Sequence, residues 1–143
     1  LESAGINVQI TQDVTGLLWS KLLINVGINP LTGITGLRNG ELLDYEETLA
    51  IMRRAVNEAK SVVDRKEVHL IYPDHLQKVE TVCQATAQNI SSMLQDIQNK
   101  KKTEIDFISG AILREGKEFD MGLPINQALT RLIHLLENLG QNA

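Results

Sequence analysis

The sequence predicts an all-α, bundle-like domain of about five main helices, with the first buried by the others. Five stretches repeat apolar residues at three- and four-residue steps, and no convincing run of alternating strand residues separates them. The first stretch is apolar around most of its circumference, the pattern of a buried helix. At 143 residues the chain suits one domain of common size. With 43% hydrophobic and 22% charged residues it has enough material for a packed core, which argues against intrinsic disorder.

The first helix is expected from near Asp13, carrying Leu17, Leu18, Trp19, Leu22, Leu23, Ile24 and Val26. Pro30 lacks a backbone donor and disfavours helical geometry at Asn29, so a break or kink is expected there. Thr32–Gly40 then reads as turns. Before this helix, Asn7–Gln12 reads as a short strand or an extended lead-in. Asp44 with Glu47 resembles a capping box opening a second helix, which runs to about Lys66 with Leu49, Met52, Val56, Ala59 and Val63 on one side. The third opens at Pro73 and repeats Leu76, Val79, Cys83, Ala87, Ile90, Leu94 and Ile97 at near-heptad spacing. That spacing suits packing along a neighbouring helix, within the domain or across a homodimer interface. The fourth has Thr103 as its cap and carries Ile105, Ile108, Ile112 and Phe119. The fifth opens at Pro124 and carries Leu129, Leu132, Ile133, Leu136 and Leu139, with Gly140 as its stop.

Composition also limits function. A net charge of −4 gives no overall support for the phosphate neutralisation behind nucleic-acid binding, and Lys100-Lys101-Lys102 reads as a solvated helix end. No apolar stretch approaches the ~18 residues of a membrane span, and no secretory signal is visible. Cys83 is the only cysteine and cannot form an internal disulfide, which points to a reducing cytoplasm. The opening Leu1-Glu2-Ser3, without an initiator methionine, raises the expectation that the chain is a piece of a longer protein.

The main chemical anomaly lies in the most apolar helix. Lys21, Asn25 and Asn29 stand at i, i+4 and i+8 and form one polar stripe. Such a stripe can be simply the wet side of the helix. Against that, asparagine is a poor helix former, roughly 0.7 kcal/mol worse than alanine, and no carboxylate completes a surface ion-pair pattern. The alternative is a site floor, where a lysine can donate a proton to a developing alkoxide and asparagines can hold a small hydroxylated acid. Ser91-Ser92 and Thr103-Glu104-Ile105-Asp106 form a second cluster. Read blandly, it is a pair of surface serines and a capped helix start. Asp106, three residues after Thr103, is the better capping candidate, leaving Glu104 free to face a pocket. His69, His75 and His134 lack metal-ligand spacing and read as surface or helix-end residues; no metal site is expected. Cys83 reads as a core thiol. Gly33, Gly36 and Gly40 match neither a dinucleotide fingerprint nor a phosphate loop.

The block from Trp19 to Thr32 (WSKLLINVGINPLT), followed by Asn39-Gly40-Glu41-Leu42, resembles the start of the C-terminal domain of the ketopantoate reductases, or 2-dehydropantoate 2-reductases. Ser91–Asp96, Thr103–Gly110 and Gly122–Asn126 resemble later blocks of that family in the same order, and the likeness runs from Ala4 to about Leu136. The resemblance implies a helical fold like the C-terminal domain of 6-phosphogluconate dehydrogenase. It also implies reduction of ketopantoate to (R)-pantoate with NADPH, in pantothenate and coenzyme A synthesis. By that likeness Lys21 is the catalytic lysine, Glu104 an active-site glutamate, and Asn25, Asn29 and Ser92 bind substrate. The family's N-terminal Rossmann domain, which carries most of the NADPH site, has no counterpart in this sequence, so the isolated chain is expected to be inactive. The β-hydroxyacid dehydrogenases share the lysine–asparagine spacing and offer a second reading; a non-catalytic helical interaction module offers a third.

Overall fold

The computed structural model describes residues 2–142, with side chains described from Asp13 onward. Six α-helices and two short 3-10 helices make up the fold among these residues, and no strand occurs. α1 (Glu2–Thr35) is the axis, packed against α2 (Glu46–Arg65), α3 (His75–Ala85), α4 (Ser92–Gln98) and α6 (Pro124–Asn142). α5 (Ser109–Lys117) lies against α2 and α6. The core is almost wholly aliphatic, as the scarcity of aromatic residues requires. Val26 of α1, Val56, Ala59 and Val63 of α2, Cys83 of α3, Ile112 of α5 and Ile133 of α6 are completely buried in one cluster.

Several boundaries differ from the sequence reading. α1 starts at Glu2, so Asn7–Gln12 falls within it; the side chains of that stretch lie outside the described residues. Pro30 does not end the helix, which continues to Thr35. Pro30, Leu31 and Thr32 are buried there, and the Thr32 hydroxyl approaches the carbonyls of Ile28 and Asn29 at 3.0 and 3.1 Å. Tertiary burial thus outweighs the local cost of a proline inside a helix. The stop is Gly36, at φ +76° with its N–H donated to the Thr32 carbonyl. Asp44 does not cap α2: Tyr45 holds the cap position, and the Thr48 hydroxyl reaches back to the Leu42 carbonyl at 2.6 Å. Gly140 does not stop α6, which runs on to Asn142.

The expected third helix is two helices. Asp74 caps α3 by accepting the Gln77 N–H at 3.0 Å, and the chain leaves helical geometry at Thr86. Residues 86–90 instead pair with the turn after α1. Asn39 donates its N–H to the Asn89 carbonyl, Gly40 donates to the Ala87 carbonyl, and the Asn39 amide donates to the Thr86 hydroxyl at 2.9 Å. These bonds satisfy backbone groups that a continuous helix would have used internally. Gly40 permits the approach, because a Cβ there would lie 2.5 Å from the Ala87 Cβ and 2.7 Å from its Cα. Gly40→Ala is therefore expected to cost about 1–3 kcal/mol by overpacking against backbone. Denaturant unfolding of the purified chain measures this, and an unchanged midpoint would contradict it.

Candidate functional site

The floor of the candidate site is the exposed face of α1. At roughly 100° per residue, Lys21, Asn25, Asn29 and Thr32 fall within an arc of about 80°. Lys21 and Asn25 are exposed and Asn29 is half-buried, whereas Leu23 and Val26 on the opposite side are buried. Among the described residues the Lys21 amine has no ion-pair partner. Val14 and Leu18 extend the same arc toward the N-terminus and are 48% and 60% exposed, so the polar stripe continues into an uncovered apolar one.

A chain of hydroxyls joins this floor to the second cluster. The Leu94 N–H donates to Ser91 Oγ at 3.1 Å, and Ser91 Oγ lies 2.6 Å from Thr32 Oγ1. Each hydroxyl has one proton. With Thr32 donating to the α1 carbonyls, Ser91 donates to Thr32. Ser91 thus caps α4 while bonding α1, which sets Ser92, the first residue of α4, beside the turn that carries Asn29. Ser92 lines a cavity of about 120 Å³ together with Met93, Asp96, Glu104 and Ile108. The structure therefore brings Ser92 and Glu104 together, and aligns Lys21, Asn25 and Asn29 on one face. Lys21 does not line that cavity: Thr32 lies about 16 Å along the helix axis from it, with the two asparagines between.

Sequence reading missed two participants, Thr32 and Asp96, and left Ser91 open to a bland surface reading. Thr32, read as part of a turn, and Ser91, read as lying inside one long helix, are both buried, Ser91 as the cap of α4. Asp96, which adds a second carboxylate to the cavity, stands one helical turn after Ser92, a spacing that could have pointed to it. The expected roles of Thr103 and Asp106 also change. α5 starts only at Ser109, after a 3-10 helix at Ile105–Phe107. Thr103 forms a local turn, accepting the Ile105 N–H at 3.2 Å, and donates both its N–H and its hydroxyl to Glu137. Asp106 does not cap; it pairs with His134 Nε2 at 2.7 Å.

The remaining candidates stay structural. Cys83 is buried, and that burial, aided by the nearby Glu80 carboxylate, pushes its thiol up to about 11, far from a reactive thiolate at neutral pH. His75 opens α3, and burial followed by the Lys60 charge lowers its pKa. Among the described residues no group of three or more His, Cys, Asp or Glu could hold a metal ion, and no helix is long and apolar enough to cross a membrane.

Among the described residues no strand leads into a glycine-rich helix start, and the N-termini of α3 and α6 hold carboxylates. Asp74 occupies the first; Glu58 accepts the N–H groups of Ile125 and Asn126, both at 2.9 Å, at the second. A pyrophosphate would be repelled from both.

The profile of the ketopantoate reductase PanE/ApbA C-terminal family matches residues 13–137. The chain belongs to that family. Among its relatives is the 2-dehydropantoate 2-reductase of Archaeoglobus fulgidus, 33% identical over 96% of this chain and 46% of the relative. In structure it is similar to a ketopantoate reductase from Ralstonia eutropha, with a TM-score of 0.82 and 33% identity over 88% of this chain and 42% of that one. It is also similar to a D-mandelate dehydrogenase bound to NADH and anilino(oxo)acetate, with a TM-score of 0.80 and 29% identity over 86% of this chain and 41% of that one. The chain thus spans less than half the length of these relatives.

The site geometry yields a stability test. Ser91→Ala removes the α4 cap and leaves Thr32 without its buried partner, with an expected cost of about 1–2 kcal/mol. Chemical denaturation measures it, and a loss below about 0.3 kcal/mol would show the hydroxyl chain to be dispensable.

Proposed function

We propose that this chain is the substrate-binding and proton-donating half of an NADPH-dependent 2-dehydropantoate 2-reductase that makes (R)-pantoate, and that an N-terminal Rossmann domain supplies the rest. The observation that carries the reading is the solvent-facing Lys21–Asn25–Asn29 stripe on a helix whose opposite side, with Leu23 and Val26, is buried, joined through Thr32 and Ser91 to the cavity of Ser92 and Glu104. A stripe that served only as a wet face would need no connection to a polar cavity. The uncovered Val14 and Leu18 suit a second domain seated along the same face. Ligand sites often lie at such domain junctions.

In this reading the chain binds, orients and protonates. Asn25, Asn29 and Ser92 hold the acid and Glu104 accepts a hydrogen bond from its hydroxyl. When the carbonyl carbon gains hydride, the C=O π electrons move to oxygen, and the Lys21 ammonium stabilises that alkoxide and donates the proton that completes the alcohol. Seating a second domain expels water and strengthens these electrostatic contacts. The reductant is held mainly by the Rossmann domain, and the carboxylates at the N-termini of α3 and α6 would repel its pyrophosphate. NADPH, the cytoplasmic setting and a homodimer belong to the same proposal.

The likeness to a D-mandelate dehydrogenase favours a second reading, a related reductase of aryl 2-ketoacids. Steady-state assays of the full-length protein separate the two: ketopantoate is expected to be the better substrate, and preference for an aryl 2-ketoacid would overturn that choice. Lys21→Ala is expected to lower kcat by about 10²–10⁴-fold; a rate equal to the parent's would remove the proposed role of Lys21. The isolated 143-residue chain is expected to show no turnover, and NADPH-dependent reduction by it would sink the division of labour.

A further inference from the structure

Glu104 is exposed, yet the backbone that carries it is fixed on both sides. Thr103 before it is 6% exposed and Ile105 after it is fully buried. The Glu104 carbonyl accepts the Phe107 N–H at 2.9 Å. Thr103 in turn is held by α6: Glu137 Oε2 accepts its backbone N–H at 2.6 Å and its hydroxyl at 2.8 Å. One turn earlier on α6, His134 Nε2 pairs with Asp106 Oδ1 at 2.7 Å. Two side chains of α6, three residues apart on one helix face, therefore grip the residues immediately before and two after Glu104. The Glu137 grip is the stronger. It is part-buried, charge-assisted and double, whereas the His134–Asp106 pair is more than two-fifths exposed on each side and so weakly held.

We propose that Glu137 is a positioning residue for the reaction: by holding Thr103 it fixes the direction in which Glu104 enters the cavity beside Ser92, and His134 assists. The inference rests on the reading of Glu104 as a substrate-facing group. Without the Glu137 carboxylate the Thr103 N–H is a buried donor without this acceptor, and the turn must reorganise to satisfy it. Because Glu104 follows directly, its Cα–Cβ direction changes with that turn. Misplacement of a substrate-holding group by a fraction of an ångström lowers the rate without removing any contact residue. Glu137 itself touches none of the residues lining the cavity of Ser92 and Glu104 through any side-chain hydrogen bond described, so its effect on substrate runs through Thr103.

A double-mutant cycle on the full-length protein tests this, with kcat and KM for ketopantoate measured for the parent, Glu104→Ala, Glu137→Ala, Glu104→Ala/Glu137→Ala and Glu137→Gln. Glu137→Ala is expected to lower kcat/KM by about tenfold, and the double variant to be no more than about twofold worse than Glu104→Ala, since the two act through one group. Glu137→Gln keeps an acceptor oxygen for Thr103 and is expected to restore most of the activity. Losses that multiply, an unchanged Glu137→Ala, or a Glu137→Gln as poor as Glu137→Ala would each overturn the proposal while leaving Glu104 in its role. A Glu104→Ala protein indistinguishable from the parent would overturn both. If Glu137→Ala does not fold, Thr103→Ser and Thr103→Val are compared. The valine variant loses the hydroxyl bond to Glu137 and the turn bond from the Ile105 N–H while keeping the backbone N–H bond to Glu137. It is therefore expected to lose less than about tenfold and to be non-multiplicative with Glu104→Ala, while Thr103→Ser keeps the parent's activity; a multiplicative loss would overturn the proposal.

Discussion

The rest of the structure depends on the burial of α1. A helix apolar around most of its circumference is stable in water only when other elements cover it, and α2, α3, α4 and α6 do so. The side left uncovered holds Val14, Leu18, Lys21 and Asn25. Fixed by close packing on its other sides, that strip is a rigid floor, and the spacing of its lysine and asparagines is set by helix geometry alone. A functional constellation on such a helix needs little further ordering before a ligand arrives.

Polar contacts between elements then decide where the walls stand. The aliphatic core sets which helices pack, but it is non-directional. Direction comes from a few buried bonds: the Ser91–Thr32 hydroxyl pair ties α4 to α1, Glu58 binds the N-terminus of α6, and Glu137 binds Thr103. Each joins segments far apart in sequence, and the two carboxylates end on backbone N–H groups at the start of a helix or turn. The cavity of Ser92, Asp96 and Glu104 lies where two of these ties meet.

This division explains what could be read from the residues alone. The all-helical class, the buried first helix, the end of α2 near Lys66 and the start of α6 at Pro124 follow from local periodicity and from proline at a first helical position, and they agree with the structure. The Lys21–Asn25–Asn29 stripe was visible because polar residues at helical spacing contrast with apolar neighbours. Periodicity could not show that 75–98 forms two helices, since Leu76, Val79, Cys83 and Leu94 keep their spacing across a break created by pairing with Asn39 and Gly40. Nor could it show that Asp106 pairs with His134, or that Thr103 belongs to Glu137. Pro30 and Gly140 misled for the reverse reason, as local preferences worth a few kcal/mol at most gave way within longer helices.

On the proposed reading the α1 stripe and the cavity beside α4 serve one substrate. A crystal structure of the full-length protein with ketopantoate and oxidised cofactor tests it most directly. The 2-oxo oxygen is expected within hydrogen-bond distance of Lys21 and the substrate hydroxyl at Glu104, with Asn25, Asn29 or Ser92 on the remaining polar groups. A ketopantoate molecule bound elsewhere, touching neither Lys21 nor Glu104, would contradict it.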